Sequence, residues 1–184
     1  MVEKFGISQP VRRREDTRFL TGQGTYADDV NRDGQVYASF VRSQHPHGSI
    51  RGIDNAAAES APGVVGVFTG ADLVTAGIHG QVPRALLPGF VTTPTPRPGL
   101  ADTVVRHVGE PVAVVIAETR ALADDAAGLI EVDIEALPAA IEITDARAPG
   151  APVVWSDAPN NVCQEWTHGD RDAAERAFAD ATHV

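Results

Sequence analysis

The stretch TGQGTYADD, Thr21 to Asp29, spells Gly-x-Gly-x-x-Ala, the pattern of a turn that cradles a dinucleotide pyrophosphate. Such a turn works because it follows a strand and opens a helix, whose first amides then meet the phosphate. Here Gly24 is followed by TYADDVNRDG, in which Asp28, Asp29, Asn31, Asp33 and Gly34 are turn and cap residues rather than the start of an apolar helical stripe. The spacing therefore predicts a tight turn at Gly22 and Gly24 ahead of Tyr26, with glycine supplying positive φ. Metal binding has one local candidate, His45-Pro46-His47, whose His-x-His spacing offers two ligands, but no carboxylate-rich motif accompanies it. His79, His107, His168 and His183 are scattered. Cys163 stands alone and reads as a packing residue. Ser43, after Arg42, lacks the Gly-x-Ser-x-Gly elbow of a hydrolase nucleophile. Glu131, Asp133 and Glu135 alternate with apolar residues and read as the wet face of a strand. No residue is thus assigned a catalytic, cofactor-binding or metal-binding role.

The bulk properties narrow the classes. The chain has 184 residues, a formal net charge of −10 and a pI near 4.9. An acidic surface opposes a phosphate-backbone partner, which is bound by displacing counterions with Lys and Arg. The one basic run, VRRRED, is closed at once by Glu15 and Asp16. One cysteine excludes a disulfide within the chain and any thiolate cluster. No stretch approaches 18 consecutive apolar residues, and the opening MVEKFGISQP lacks the apolar core of an export signal. The expectation is a cytoplasmic protein that binds no nucleic acid and spans no membrane.

The elements that must position these residues are short. QVYASFVRS reads as a strand, DNAAAES as a short helix capped by Asp54, and GVVGVFTG as a second strand. Thr69 and Asp72 stand at capping-box spacing and open another short helix. Residues 81–100 hold Pro83, Pro88, Pro94, Pro96 and Pro98, which suits neither a helix nor a central strand. Leu86, Leu87 and Phe90 in that loop suggest a contact surface, mobile or self-associating when alone. VVRHV reads as a strand, and PVAVVIA as one buried on both faces. TRALADDAAGLI places Leu122, Ala126 and Leu129 on one helical stripe behind a Thr119 cap. IEVDIEALP alternates strictly, with Ile130, Val132 and Ile134 turned inward. SDAPNNV reads as a loop. The last segment, 168–184, forms a helix capped by Asp170 with Ala174, Phe178 and Ala181 on its stripe. The fold class is α+β, a single domain over 1–184 with an N-terminal arm at 1–20 and a Pro-rich loop at 81–100. The close on His183-Val184, just after a helix, suggests a chain that continues. From the residues alone, the reading is an acidic α+β domain that docks to a partner through its Pro-rich loop.

Five ordered stretches add to this: RREDTRFLTGQGTYADDV, VYASFVRSQHPHGSI, APGVVGVFTGADL, VVRHVGEPVAVVIAETRALADDAAGLIEVDIEALPAAI and HGDRDAAERAFADATHV. Together they cover nearly the whole chain and resemble the N-terminal region of molybdenum-hydroxylase large subunits, the family of carbon monoxide dehydrogenase, aldehyde oxidase and xanthine dehydrogenase. Gln44 and Pro46 depart from that family's RSPHAHA pattern. The resemblance implies an α/β-hammerhead domain, a mixed sheet with short helices, whose 168–184 helix leads toward a molybdopterin-binding domain. For the parent enzyme it implies hydroxylation of aldehydes or heterocycles, or carbon monoxide oxidation. The implied cofactor is molybdopterin in its cytosine dinucleotide form, with a glutamate base, hydride transfer to a sulfido group, and copper in the carbon monoxide branch. The implied partners are the rest of the large subunit, an FAD-binding medium subunit and a 2Fe-2S small subunit. The family's catalytic loops lie beyond the hammerhead, so the matched residues Gly22, Gly24, Arg42, Ser43, Gly109, Glu110 and Pro111 are implied to be structural. The rival is a stand-alone hammerhead module for protein interaction, without catalysis.

Overall fold

The computed structural model describes residues 13–78 and 91–182. Leu86, Leu87, Phe90, His79, His183, Pro83 and Pro88 lie outside them. Contacts divide the chain into two units, Met1–Gln35 and Val36–Val184.

In the first unit a short helix, α1 (Asp16–Leu20), ends in a turn through Gly22 at φ +71°. The dinucleotide pattern thus follows a helix, not a strand. Gly24 has a different task from Gly22. A Cβ there would lie 2.7 Å from Phe19 Cδ1, and the Phe19 ring stacks on Tyr26 with centroids 5.8 Å apart. Only glycine permits that approach. A 3-10 turn, Ala27–Asp29, follows, and the Asp29 carboxylate accepts the Tyr26 amide at 2.8 Å.

The second unit begins with β1 (Tyr37–Arg42) and β2 (Gly48–Asp54), then α2 (Ala56–Glu59), β3 (Val64–Thr69) and α3 (Gly70–Thr75). Asn55, not Asp54, is the cap of α2, because Asp54 closes β2; its carboxylate still accepts the Ala56 amide at 3.1 Å. After β4 (Val91–Thr92) come β5 (Val104–Val105), β6 (Pro111–Ala117), α4 (Arg120–Ala127) and β7 (Glu131–Ala136). Last are α5 (Ile143–Ala146), β8 (Gln164–Glu165) and α6 (Arg171–Asp180). Strands and short helices mix along the chain, and every pairing among described strands is antiparallel. One sheet runs β1-β6-β3, a second β5-β2-β7, and β4 pairs with β8.

The first sheet shows how β6 is used. Ala113, Val115 and Ala117 are fully buried beneath α4, while Val114 and Ile116 on the opposite face are half-buried. The register skips Val112 between the pairs Val41–Ala113 and Arg42–Pro111. That irregularity turns Val112 into a second cluster with Ala101 and Val105. PVAVVIA is therefore not buried on both faces; one face is sealed, and its bulged first turn feeds another core. Val41, Ile53 and Val132 pack on both clusters and join the two sheets.

The helix α4 is capped as its sequence suggests: the Thr119 hydroxyl accepts the Leu122 amide at 3.2 Å. Its buried residues are Ala123 and Ala126, however, so of the Leu122–Ala126–Leu129 stripe only Ala126 is buried. Leu129 lies past the helix end and is 47% exposed. Alanines let the helix axis approach the sheet more closely than leucines would. The α6 stripe fails too. Phe178 is exposed and Ala181 lies beyond the helix, which is held instead by its Asp170 cap and an Arg171–Glu175 pair of 2.8 Å.

Candidate functional site

The residues weighed for chemistry are engaged in holding turns. Ser43 is buried, and its hydroxyl accepts the His45 amide and donates to the His45 carbonyl, both at 3.0 Å. His47 is buried, with Nδ1 2.9 Å from the Pro138 carbonyl. The His-x-His pair thus divides between a local turn and a contact with a distant strand end. The His107 ring meets the Val108 carbonyl at 3.0 Å, and His168 stacks on Trp166. Cys163 is half-buried, and its carbonyl accepts the Thr93 amide at 3.0 Å. Glu131, Asp133 and Glu135 lie on the exposed face of β7, where Glu135 pairs with Arg51. Among the described residues no three His, Cys, Asp or Glu side chains converge as a metal site.

The stretch VVRHVGEP is less regular than its composition suggests, since the strand covers only Val104–Val105. The reason is Glu110. Its buried carboxylate accepts the Arg106 amide, drawing that N–H away from any ladder. Gly109, at φ +86°, turns the chain so that its amide donates to the Ser43 carbonyl at 2.7 Å. The Ser43 amide returns a bond to the Glu110 carbonyl at 2.9 Å, and Arg42 donates to the Gly109 carbonyl at 2.9 Å. Arg42-Ser43 and Gly109-Glu110 are far apart in sequence, and here they form one interlocked junction.

Beside it lies a cleft of about 230 Å³ lined by Leu73, Val74, Ile78, Pro96, Pro98 and Leu100, with Arg106 and Trp155 among its polar and aromatic members. The Arg106 guanidinium carbon sits 3.9 Å from the centre of the Trp155 ring. A cation on an indole is stabilised by about 0.5–2 kcal/mol, more as water is excluded. One guanidinium nitrogen donates to the Val104 carbonyl at 3.0 Å. Among the described residues its Nε, fully buried, finds no acceptor. A buried donor left unpaired costs about 1–3 kcal/mol.

Two devices hold the cleft's walls. The Asp72 carboxylate accepts both the amide and the hydroxyl of Thr69 at 2.7 Å, as the capping-box spacing predicts. The hydroxyl bond, then the amide bond, holds the Asp72 carboxyl below its ordinary value of 3.8. The Trp155 wall is tied by Asn161, in the left-handed region at φ 57°. Its side chain donates to the carbonyls of Ala146 and Pro152 at 2.9 Å and accepts the Val154 amide at 3.0 Å. Sequence reasoning missed this pair, because Arg106 and Trp155 meet only in the fold. The available signal was a lone cation within an apolar strand pattern.

Ligand sites for small molecules enclose about 300–1,000 Å³. The cleft is smaller than that, so it suits one or two inserted side chains, not a pterin dinucleotide.

The comparisons with known proteins agree with this architecture. The family described as "Aldehyde oxidase and xanthine dehydrogenase, a/b hammerhead domain" matches residues 21–138. The nicotine 6-hydroxylase large subunit of Paenarthrobacter nicotinovorans is 41% identical over 180 residues, spanning 97% of this chain and 21% of that protein. The carbon monoxide dehydrogenase large chain of Afipia carboxidovorans is 36% identical, spanning 97% of this chain and 23% of its own length. The crystal structure of a Cu,Mo-CO dehydrogenase superposes with a TM-score of 0.69 at 33% identity, over 96% of this chain and 23% of the other. The chain thus spans about a fifth of the length of these relatives. With the match over residues 21–138 and the shared fold, the chain belongs to the aldehyde oxidase and xanthine dehydrogenase a/b hammerhead family, found in large subunits such as that of carbon monoxide dehydrogenase.

Proposed function

We propose that this chain is the N-terminal scaffold of the large subunit of a molybdenum-dependent oxidoreductase. Its task is to frame the polypeptide that holds the cofactor and to contact neighbouring subunits. The observation that carries this reading is the engagement of Ser43, His47, Glu110 and Arg42 in turn-closing bonds. Each of these side chains holds a turn or a strand end in place. The residues described here do not fit a pyranopterin dinucleotide, and no reaction step is derived from them.

The parent enzyme, in this proposal, carries molybdopterin in its cytosine dinucleotide form and works in the cytoplasm. It passes electrons to 2Fe-2S and FAD groups on partner subunits and oxidises an aldehyde, a heterocycle or carbon monoxide. The test compares this 184-residue chain with the product of its full reading frame by metal analysis and substrate oxidation. Molybdenum and turnover belong to the longer product. Stoichiometric molybdenum with turnover in the 184-residue chain overturns the division of labour.

A further inference from the structure

Of the aspartates and asparagines in the chain, only Asp33 precedes a glycine. We propose that Asp33 is a modification site, where the Asp33–Gly34 link passes through a cyclic imide to a β-linked isoaspartyl bond in the folded protein. The product carries the Asp33 α-carboxylate as a side group. That group is the substrate of a carboxyl methyltransferase that uses S-adenosylmethionine. The inference goes beyond the scaffold reading and does not depend on it.

The fold leaves both reacting groups open. Arg32 to Gln35 form a turn in which the Gln35 amide donates to the Arg32 carbonyl at 3.1 Å. The Arg32 amide donates in return to the Gln35 side-chain oxygen at 3.2 Å. Gly34 sits in the turn at φ +75°, a conformation that glycine adopts without steric cost. Both turn bonds belong to the flanking residues. Among the described residues neither the Gly34 amide nor the Asp33 carboxylate has a hydrogen-bond partner. Both residues are exposed, and a Cβ added to Gly34 would meet nothing within 4 Å. Ring closure therefore sacrifices no hydrogen bond and displaces no neighbour. In that step the Gly34 nitrogen bonds to Asp33 Cγ, and its proton leaves with the carboxyl OH as water. A second water then opens the imide. Attack at Cγ restores aspartate. Attack at the main-chain carbonyl carbon breaks its bond to the Gly34 nitrogen, and the chain then runs through Cβ and Cγ. One water is lost and one gained, and nothing is oxidised or reduced. The main chain becomes one carbon longer just before β1, which loosens the Arg32–Gln35 turn.

The test incubates the full chain at neutral pH, folded and in guanidinium chloride. Peptide-resolved mass spectrometry with electron-transfer fragmentation then separates aspartate from isoaspartate. Isoaspartate at position 33 should exceed that at any other aspartate by about tenfold, because glycine alone leaves the attacking nitrogen uncrowded. The folded and unfolded rates should agree within about threefold, as expected of a site that needs no unfolding to react. Asp33→Glu keeps the charge but would require a six-membered ring. It should abolish the product and the methyl transfer from S-adenosylmethionine by an isoaspartyl methyltransferase. Asp33→Asn loses ammonia instead of water and should reach the same product faster. A folded rate far below the unfolded one means that the turn shields the site, and it overturns the inference. Isoaspartate spread evenly over the aspartates, or methyl acceptance that survives Asp33→Glu, overturns it as well. None of these outcomes touches the scaffold reading, which stands or falls on molybdenum and turnover.

Discussion

Asn161 shows how one side chain can set the position of a wall. Its three bonds fasten the backbone at Ala146, Pro152 and Val154, and Trp155 follows directly. Asn161→Ala removes all three and leaves a left-handed residue with no side-chain compensation. The expected loss is about 2–3 kcal/mol of unfolding free energy, with the Trp155 emission shifted red in a Trp166→Phe background. Asn161→Gly loses the same bonds but keeps the backbone geometry, so its loss is smaller. Asp72 gives a pH-dependent counterpart. Its folded pKa lies below 3.8. The contribution of its carboxylate is therefore complete above that value and is lost as pH falls through the lowered one. Urea midpoints of the native chain and Asp72→Asn should differ by a constant amount at neutral pH. The gap should narrow as the pH drops below about 4.

Among the elements, α3 depends on one glycine for its seat. Gly70 opens the helix, and a Cβ there would lie 2.5 Å from the Ala101 carbonyl oxygen and 2.7 Å from Asp102 Cα. These are backbone atoms and cannot swing aside. Gly70→Ala should cost about 1–3 kcal/mol in chemical denaturation, although alanine is the better helix former. The sequence gives no reason to single out this glycine from its neighbour Gly66, whose added Cβ would meet only the Phe68 ring. The same distinction between pattern and packing governs α4. Periodicity favoured a stripe of Leu122, Ala126 and Leu129, and the sheet buried Ala126 with Ala123 instead of the leucines.

At the scale of the sheet-built unit, the β1-β6-β3 sheet has α4 on one face and carries Phe40 and Phe68 on the other, 46% and 45% exposed. Both pair with Val114 in the register, so the rings flank one partly open apolar row. Such a row favours association of the chain with itself. Sedimentation of the 184-residue chain should show concentration-dependent association that Phe40→Lys with Phe68→Lys abolishes. The change in stability should stay within about 1 kcal/mol, as expected of partly exposed positions. Unchanged association would remove this face as its cause.

The amino-acid order by itself determined the period-dependent features. Strands β1, β3, β6 and β7, the Thr119 and Asp170 caps and the Thr69–Asp72 pair are local, set by alternation or by a side chain reaching three residues along. The motif series also carried the family, because it needs only linear order. Tertiary structure decided everything that depends on residues distant along the chain. It chose the face of α4 that is buried, bent Val112 into a second core, and locked Arg42-Ser43 to Gly109-Glu110. It also brought Arg106 over Trp155. Their proximity follows from how two sheets and a tied loop close around one another, and no local spacing encodes that distance.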